Sequence, residues 1–205
     1  EPAVGVMIVC SGASEKQLTD MLNTLDKYGV KGTFYVTGDF VRRNPERIQR
    51  IIDAGHELGS HGNNLINMTE VSYARVQENI RELNDLCEET FGVRPRLFCA
   101  HLGATNSIVT AIARAEGVED CLFAIDACDW SDAYKDKVYQ MVYRVTSDRV
   151  TSGCVVQFHI NGYHTAEVLD KALDNWINVK GLRPVTVGEL MQLSGRDFPP
   201  LPDYD

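Results

Sequence analysis

The chain has 205 residues, within reach of the roughly 100 to 200 of one domain, and its 44% apolar and 24% charged residues exclude long disorder, collagen-like sequence and low complexity. Acidic residues outnumber basic ones, 29 to 20, and no run of Lys or Arg interrupts the excess, which excludes nucleic acid and anionic lipid as partners. No stretch approaches the ~18 consecutive apolar residues of a membrane span, and Glu1-Pro2-Ala3 lacks the basic start and apolar centre of a signal peptide, so the numbered chain reads as soluble.

In chain order, the apolar run from Val4 to Cys10 stops at Ser11-Gly12, as a buried strand of a parallel sheet does. Ser14 and Gln17 form a capping-box pattern ahead of Leu18, Met21, Leu22 and Leu25, and Gly29 follows that helix. Thr33 to Val36 reads as a strand, Pro45 opens a helix through Ile48, Ile51 and Ile52 to Gly55, and His56 to Ser60 reads as a third strand. Ser72 caps a long helix that ends at Gly92. Arg96 to Cys99 is a strand, Ile108 to Ala115 a helix, and Cys121 to Ile125 a strand. A helix near Ala133 to Thr146, a strand at Cys154 to Phe158, a helix near Thr165 to Val179 and a strand at Pro184 to Val187 complete the alternation.

Such alternation predicts an α/β fold of about seven mainly parallel strands with outer helices, closer to a barrel than to an open sheet. One domain is expected over residues 1–197, followed by a Pro-rich tail over 198–205 that reads as extended and unfolded. In a barrel the chemistry sits on loops leaving the C-terminal strand ends. Those ends carry Cys10-Ser11-Gly12, Ser60-His61-Gly62-Asn63-Asn64-Leu65, Cys99-Ala100-His101-Leu102-Gly103, Asp126-Ala127-Cys128-Asp129-Trp130 and Phe158-His159.

The order and spacing of these segments resemble the polysaccharide deacetylase family, the NodB homology domain of carbohydrate esterase family 4, which includes chitin deacetylases. The resemblance runs through Gly32 to Gly38, Ala54 to His61, Arg94 to Phe98, Asp126 to Trp130 and Gly153 to His159. It implies a distorted, incomplete (β/α) barrel whose groove binds chitin or another N-acetylglucosamine polymer. Family members hydrolyse an acetamide with a divalent metal held by one Asp and two His, an Asp as base and a His as acid: the metal polarises the carbonyl, the base takes a proton from water, and the acid protonates the leaving amine.

The resemblance is degenerate at its motifs. Where the family has Thr-Phe-Asp-Asp-Gly, this sequence has Ile8-Val9-Cys10-Ser11-Gly12, which puts Cys10 at the base position and Ser11 at a metal-ligand position. The second motif leaves His61 as a metal ligand, with Leu65 at the position of the other His. The third has become Cys99 to Gly103, so the Arg that pairs with the base is absent, and the backbone N–H of Leu102 is the candidate oxyanion donor. His159 matches the acid and Asp129 its partner, and Trp130, Phe158 and Leu102 are the candidate groove wall.

The expected function is therefore a deacetylase-like protein that has lost metal and catalysis, with no cofactor. The alternatives are an active hydrolase with a rebuilt zinc or cobalt site, for which Cys10, His61, His101 and His159 supply N and S donors, and a structural role unrelated to the groove. Six cysteines without a CxxC pair, and the sequon Asn67-Met68-Thr69 as a glycosylation candidate, favour a secreted, extracellular or cell-wall location. Because the family's base and its Arg partner are both replaced by Cys, a disulfide between Cys10 and Cys99 is expected, against two free thiols or pairing with Cys128.

Overall fold

The computed structural model describes residues 1–204. β1 (Ala3–Cys10) is buried along its whole length, as a strand covered on both faces must be. It pairs in parallel with β2 (Thr33–Val36), β7 (Val155–His159) and β8 (Arg183–Val185). β3 (Glu57–Ser60), β4 (Leu97–Phe98) and β5 (Glu119–Asp120) extend the sheet on one side and β6 (Ile125–Asp126) on the other. The order is β5-β4-β3-β2-β1-β7-β6, with every pair parallel and β8 set against the start of β1. This is the expected incomplete barrel.

Helices α1 (Glu15–Lys27), α3 (Pro45–Asp53), α4 (Tyr73–Phe91), α5 (Ser107–Ala115), α6 (Val138–Thr146) and α7 (Thr165–Asp174) fall where the pattern places them. The capping box at Ser14 and Gln17 is formed, and Gly92 ends α4 at φ 70°, a conformation that costs glycine nothing. Two helices lie outside the sequence reading. α2 (Gly38–Arg43) is too short to show a period, and α8 (Val187–Leu193) begins where a strand was expected to continue. Thr186 caps α8 by accepting the Glu189 N–H, and that Thr-x-x-Glu pattern is the signal that marks it.

The strand expected over Cys121 to Ile125 is corrected. Only Ile125 belongs to a strand, β6; β5 ends at Asp120, the two strands lie at opposite edges of the sheet, and residues 121–124 cross the open side between them. No ladder closes the barrel there, so the crossing is free to face the groove.

Strand alternation divides the core. Val4, Val6, Ile8 and Cys10 of β1 join Phe34, Val156 and Phe158 under the helices α1, α3, α6 and α7. Met7 and Val9 face the other way, with Tyr35, Leu97 and Cys99, against Val187 and Met191 of α8. Cys10 and Cys99 thus lie on opposite faces of the sheet, which rules out the expected disulfide, and all six cysteines are free thiols. Export argued from paired cysteines loses that support. Titration of the denatured, unreduced protein is expected to count six thiols; four or fewer would contradict this arrangement.

The tail is also corrected. Residues 198–204 have no regular structure but are docked, while Asp205 lies outside the described residues. Arg96 donates to the Pro199 carbonyl, and the Tyr204 ring lies 4.6 Å from the Arg81 guanidinium and 5.6 Å from that of Arg94. The Tyr204 hydroxyl donates to Glu116 at 2.7 Å, and Glu116, almost wholly buried, pairs with Arg81 at 2.6 Å. Tyr204→Ala is expected to lower stability by about 1–2 kcal/mol in denaturant unfolding and to open the tail to proteolysis.

Candidate active site

The C-terminal ends of the strands enclose a cavity of about 340 Å³. β1 contributes Val9, Ser11 follows its end, β7 contributes Gln157 and His159, and the loop after β3 contributes His61 and Leu65. Ala100 to Gly103, Phe123, Asp126 and Trp130 complete the wall. Val9 pairs with His159 across the β1–β7 ladder, so residues on that face of both strands meet in the cavity.

The same alternation removes two expected residues. Cys10 at the base position and Phe158 of the expected groove wall both point into the helix-facing core, where Phe158 packs on Trp176 at 6.2 Å between ring centroids. Gln157 takes the groove position on β7, a residue that counting back two from His159 identifies. Burial pushes the Cys10 thiol far above its ordinary range, so it is no base. Phe123 has no sequence signal, because it belongs to the crossing that was read as a strand.

Asp129 is fully buried and organises the acid side of the groove. One carboxylate oxygen accepts from His159 Nδ1 at 3.0 Å; the other accepts from the His159 backbone N–H at 2.8 Å and the Thr165 hydroxyl at 2.7 Å. A carboxylate at Nδ1 fixes the proton there and leaves the Nε2 lone pair for the groove. Beside it, Asp126 accepts from the Cys128 N–H at 2.9 Å and from Trp130 Nε1 at 2.8 Å, which holds the exposed indole in one orientation.

On the opposite side His61 is nearly enclosed, with Nδ1 2.8 Å from the Cys99 carbonyl and 3.1 Å from its sulfur. Burial pushes its pKa down to about 4, against the raising effect of that carbonyl. His101 stands edge-on to it at 6.1 Å between centroids and is also lowered by burial. Leu102 holds φ 62° at the rim, a left-handed conformation that a non-glycine residue retains at a cost of order 1 kcal/mol. Asn67, the glycosylation candidate, lies away from the cavity lining and accepts from Thr69 N–H and hydroxyl at 3.0 and 2.7 Å.

A half-barrel with these strand-end motifs defines a carbohydrate-active hydrolase fold. The polysaccharide deacetylase family profile matches residues 11–120, and the chain belongs to that family. The uncharacterized protein YlxY of Bacillus subtilis is 32% identical over 93% of this chain and 58% of its own length. The peptidoglycan-N-acetylglucosamine deacetylase PgdA of Listeria monocytogenes is 28% identical over 87% of this chain and 37% of its own length. This chain thus spans about half the length of those relatives. Its fold matches peptidoglycan deacetylase PdaC from Bacillus subtilis (TM-score 0.81, 22% identity, 95% of this chain and 92% of that one). It also matches a carbohydrate esterase family 4 pseudoenzyme from Bacillus anthracis (TM-score 0.84, 23% identity, 93% and 66%).

Enzymes of this family depend on a divalent metal, and the donors at its position do not fit one. Ser11, His61 and Leu65 all line the cavity, but together they offer one imidazole nitrogen and a neutral hydroxyl. A second cluster, Asp126, Asp129 and His159, brings its ligand atoms within 4.8 Å of one another. Each of its four carboxylate oxygens accepts at least one hydrogen bond within the protein.

The enclosed histidines give the fold a pH dependence. His56 accepts the Gly32 N–H on Nδ1, and burial lowers its pKa to about 4, as for His61. Folded pKa values below the unfolded 6.5 mean that the unfolded chain takes up protons first, so stability falls as pH drops from 6.5 to about 4. For His61 the loss is of order 2–3 kcal/mol. His61→Gln is expected to flatten the melting temperature between pH 6.5 and 4, and an unchanged profile would refute the assignment.

Proposed function

We propose that this chain is a glycan-binding member of the polysaccharide deacetylase family that does not run the family's metal-dependent hydrolysis, and that it serves outside the cell, in the wall. The observation that carries the reading is the trio Ser11, His61 and Leu65 facing the groove in place of a full ligand set. The base is missing as well, because Cys10 is turned into the core. The acid half is intact: His159, oriented by Asp129, has a free Nε2 above an apolar wall containing Trp130. That half binds and orients an acetamide but cannot activate water, and loss of the base alone costs about 10²- to 10⁴-fold in rate.

The curated relatives support an N-acetylglucosamine polymer as ligand and make peptidoglycan the first to test, with chitin as the second. The Bacillus anthracis pseudoenzyme shows that the fold is compatible with absent catalysis, and a variant of that protein has restored enzymatic activity. Tag-free protein is expected to contain no stoichiometric zinc or cobalt, to release no acetate from N-acetylglucosamine oligomers with either metal added, and to sediment with insoluble peptidoglycan. Saturable acetate release together with bound metal would establish the active, rebuilt-site hydrolase instead. Ser11→Asp combined with Leu65→His is expected to take up about one zinc per chain, with the Leu65→His single variant binding far more weakly.

A further inference from the structure

We propose that the flank of the barrel carries a second ligand site, a pocket between β6 and α6 that binds one sugar unit bearing an anionic group, a carboxylate or a phosphate. The proposal does not rest on glycan binding in the groove and concerns a different cavity. The pocket measures about 270 Å³, near the lower limit of roughly 300 Å³ for small-ligand sites, so its occupant is a single unit rather than a chain. Ile125 of β6 lines this pocket and the next residue, Asp126, lines the groove, so the edge strand separates the two cavities.

Charge is the first observation. Most arginines of this acidic chain sit in ion pairs, as Arg81 does with Glu116 and Arg94 with Asp85. Among the described residues Arg144 and Arg149 have no carboxylate partner, and both line this pocket. No Asp or Glu stands beside them in the lining, whereas the groove has Asp126 and the cavities around Tyr204, Pro184 and Phe198 each hold at least one carboxylate. Asp148, the acidic residue of the same turn, is exposed and lies outside the lining. The partial negative charge at the C-terminal end of α6 would oppose an anion, and Lys180 Nζ covers it by donating to the Ser147 carbonyl at 2.8 Å.

Geometry is the second. Arg144 Nε donates to the Asp126 carbonyl at 2.7 Å, which fixes the guanidinium plane and leaves its two terminal amino groups for a ligand. Such a planar fork matches the paired oxygens of a carboxylate or a phosphate. Gln140 and Ser147 add neutral donors and acceptors suited to sugar hydroxyls.

The third observation is aromatic. Tyr134 and Tyr143 line the same pocket, and Tyr143 is 70% exposed. Tyr139, one turn earlier on α6, lies on the same face and is exposed as well. The apolar face of a pyranose covers such a ring, while its polar edge keeps water and hydrogen bonds. A bare anion would use the arginines alone and a neutral sugar the rings alone; an anionic sugar uses both.

The test titrates the nitrogen-15-labelled chain at pH 7 with glucuronic acid and with glucose-6-phosphate, against glucose as the uncharged control and inorganic phosphate as the bare anion. The Arg144 Nε–H and Arg149 amide signals report on the flank pocket, and the Trp130 Nε1–H signal reports on the groove. At least one anionic sugar is expected to shift both arginine signals saturably, about tenfold more tightly than glucose or inorganic phosphate, and the stronger of the two identifies carboxylate or phosphate. Arg149→Gln, at an exposed position without an ion pair, is expected to weaken that binding about tenfold. Tyr143→Ala is expected to weaken the sugar about fivefold and to leave inorganic phosphate unchanged. Glucose or inorganic phosphate binding as tightly as the anionic sugars, either variant without loss, or no saturable shift at the arginines overturns the inference. Shifts at Trp130 alone would overturn it while leaving the groove as a glycan site, and shifts at the arginines alone would support it whatever the groove does.

Discussion

The alternation of side chains along β1 and β7 is the constraint on which the site depends. Successive residues of a strand face opposite sides, so a motif of adjacent residues cannot deliver all of them to one cavity. Along β1 and the residue after it, this sends Val9 and Ser11 into the groove and Ile8 and Cys10 under the helices. In β7 it sends Gln157 and His159 inward and Phe158 outward. Because β1 is paired on both edges and buried throughout, its register cannot slip without exchanging every one of these positions.

A second constraint explains why the Asp129–His159 side of the groove is held in place. Asp129 does more than orient an imidazole: it ties the loop after β6 to the backbone of β7 and to Thr165 at the start of α7. A Cβ on Gly162 would come within 3 Å of both Asp129 and Thr165, so the turn is closed around that carboxylate. The wall that holds His159 and Trp130 is therefore a structural joint, and removing Asp129 would leave buried donors unpaired. The metal side has no such joint. Ser11 and Leu65 carry no load in the core, and their replacement leaves the barrel intact.

Most of the scaffold is legible in the sequence because its signals are local. Capping residues at Ser14 and Ser72, Pro45 and Gly92 mark helix ends, and uninterrupted apolar runs mark strands buried on both faces. What was not legible is what depends on partners distant in the chain. Whether residues 121–124 form a strand or a crossing is decided by which edges β5 and β6 join, and no property of Cys121 to Ile125 records that. The docked tail likewise depends on Arg81, Arg94 and Glu116, which are about a hundred residues away in the sequence. Of the site, His61, Asp129, Trp130 and His159 were found through the family motif and Ser11 and Leu65 through its failures. Cys10, Cys99 and Phe158 were misplaced because a linear motif does not state which face each residue takes.

Replacing an acidic ligand by serine and an imidazole by leucine changes more than the metal affinity of the groove. A site built for a cation carries uncompensated negative charge, which holds the cation and also favours any amine produced there. Without those groups, the groove keeps one carboxylate, Asp126, which accepts from the Cys128 N–H and Trp130 Nε1, beside the apolar side chains of Leu65, Leu102, Phe123 and Trp130.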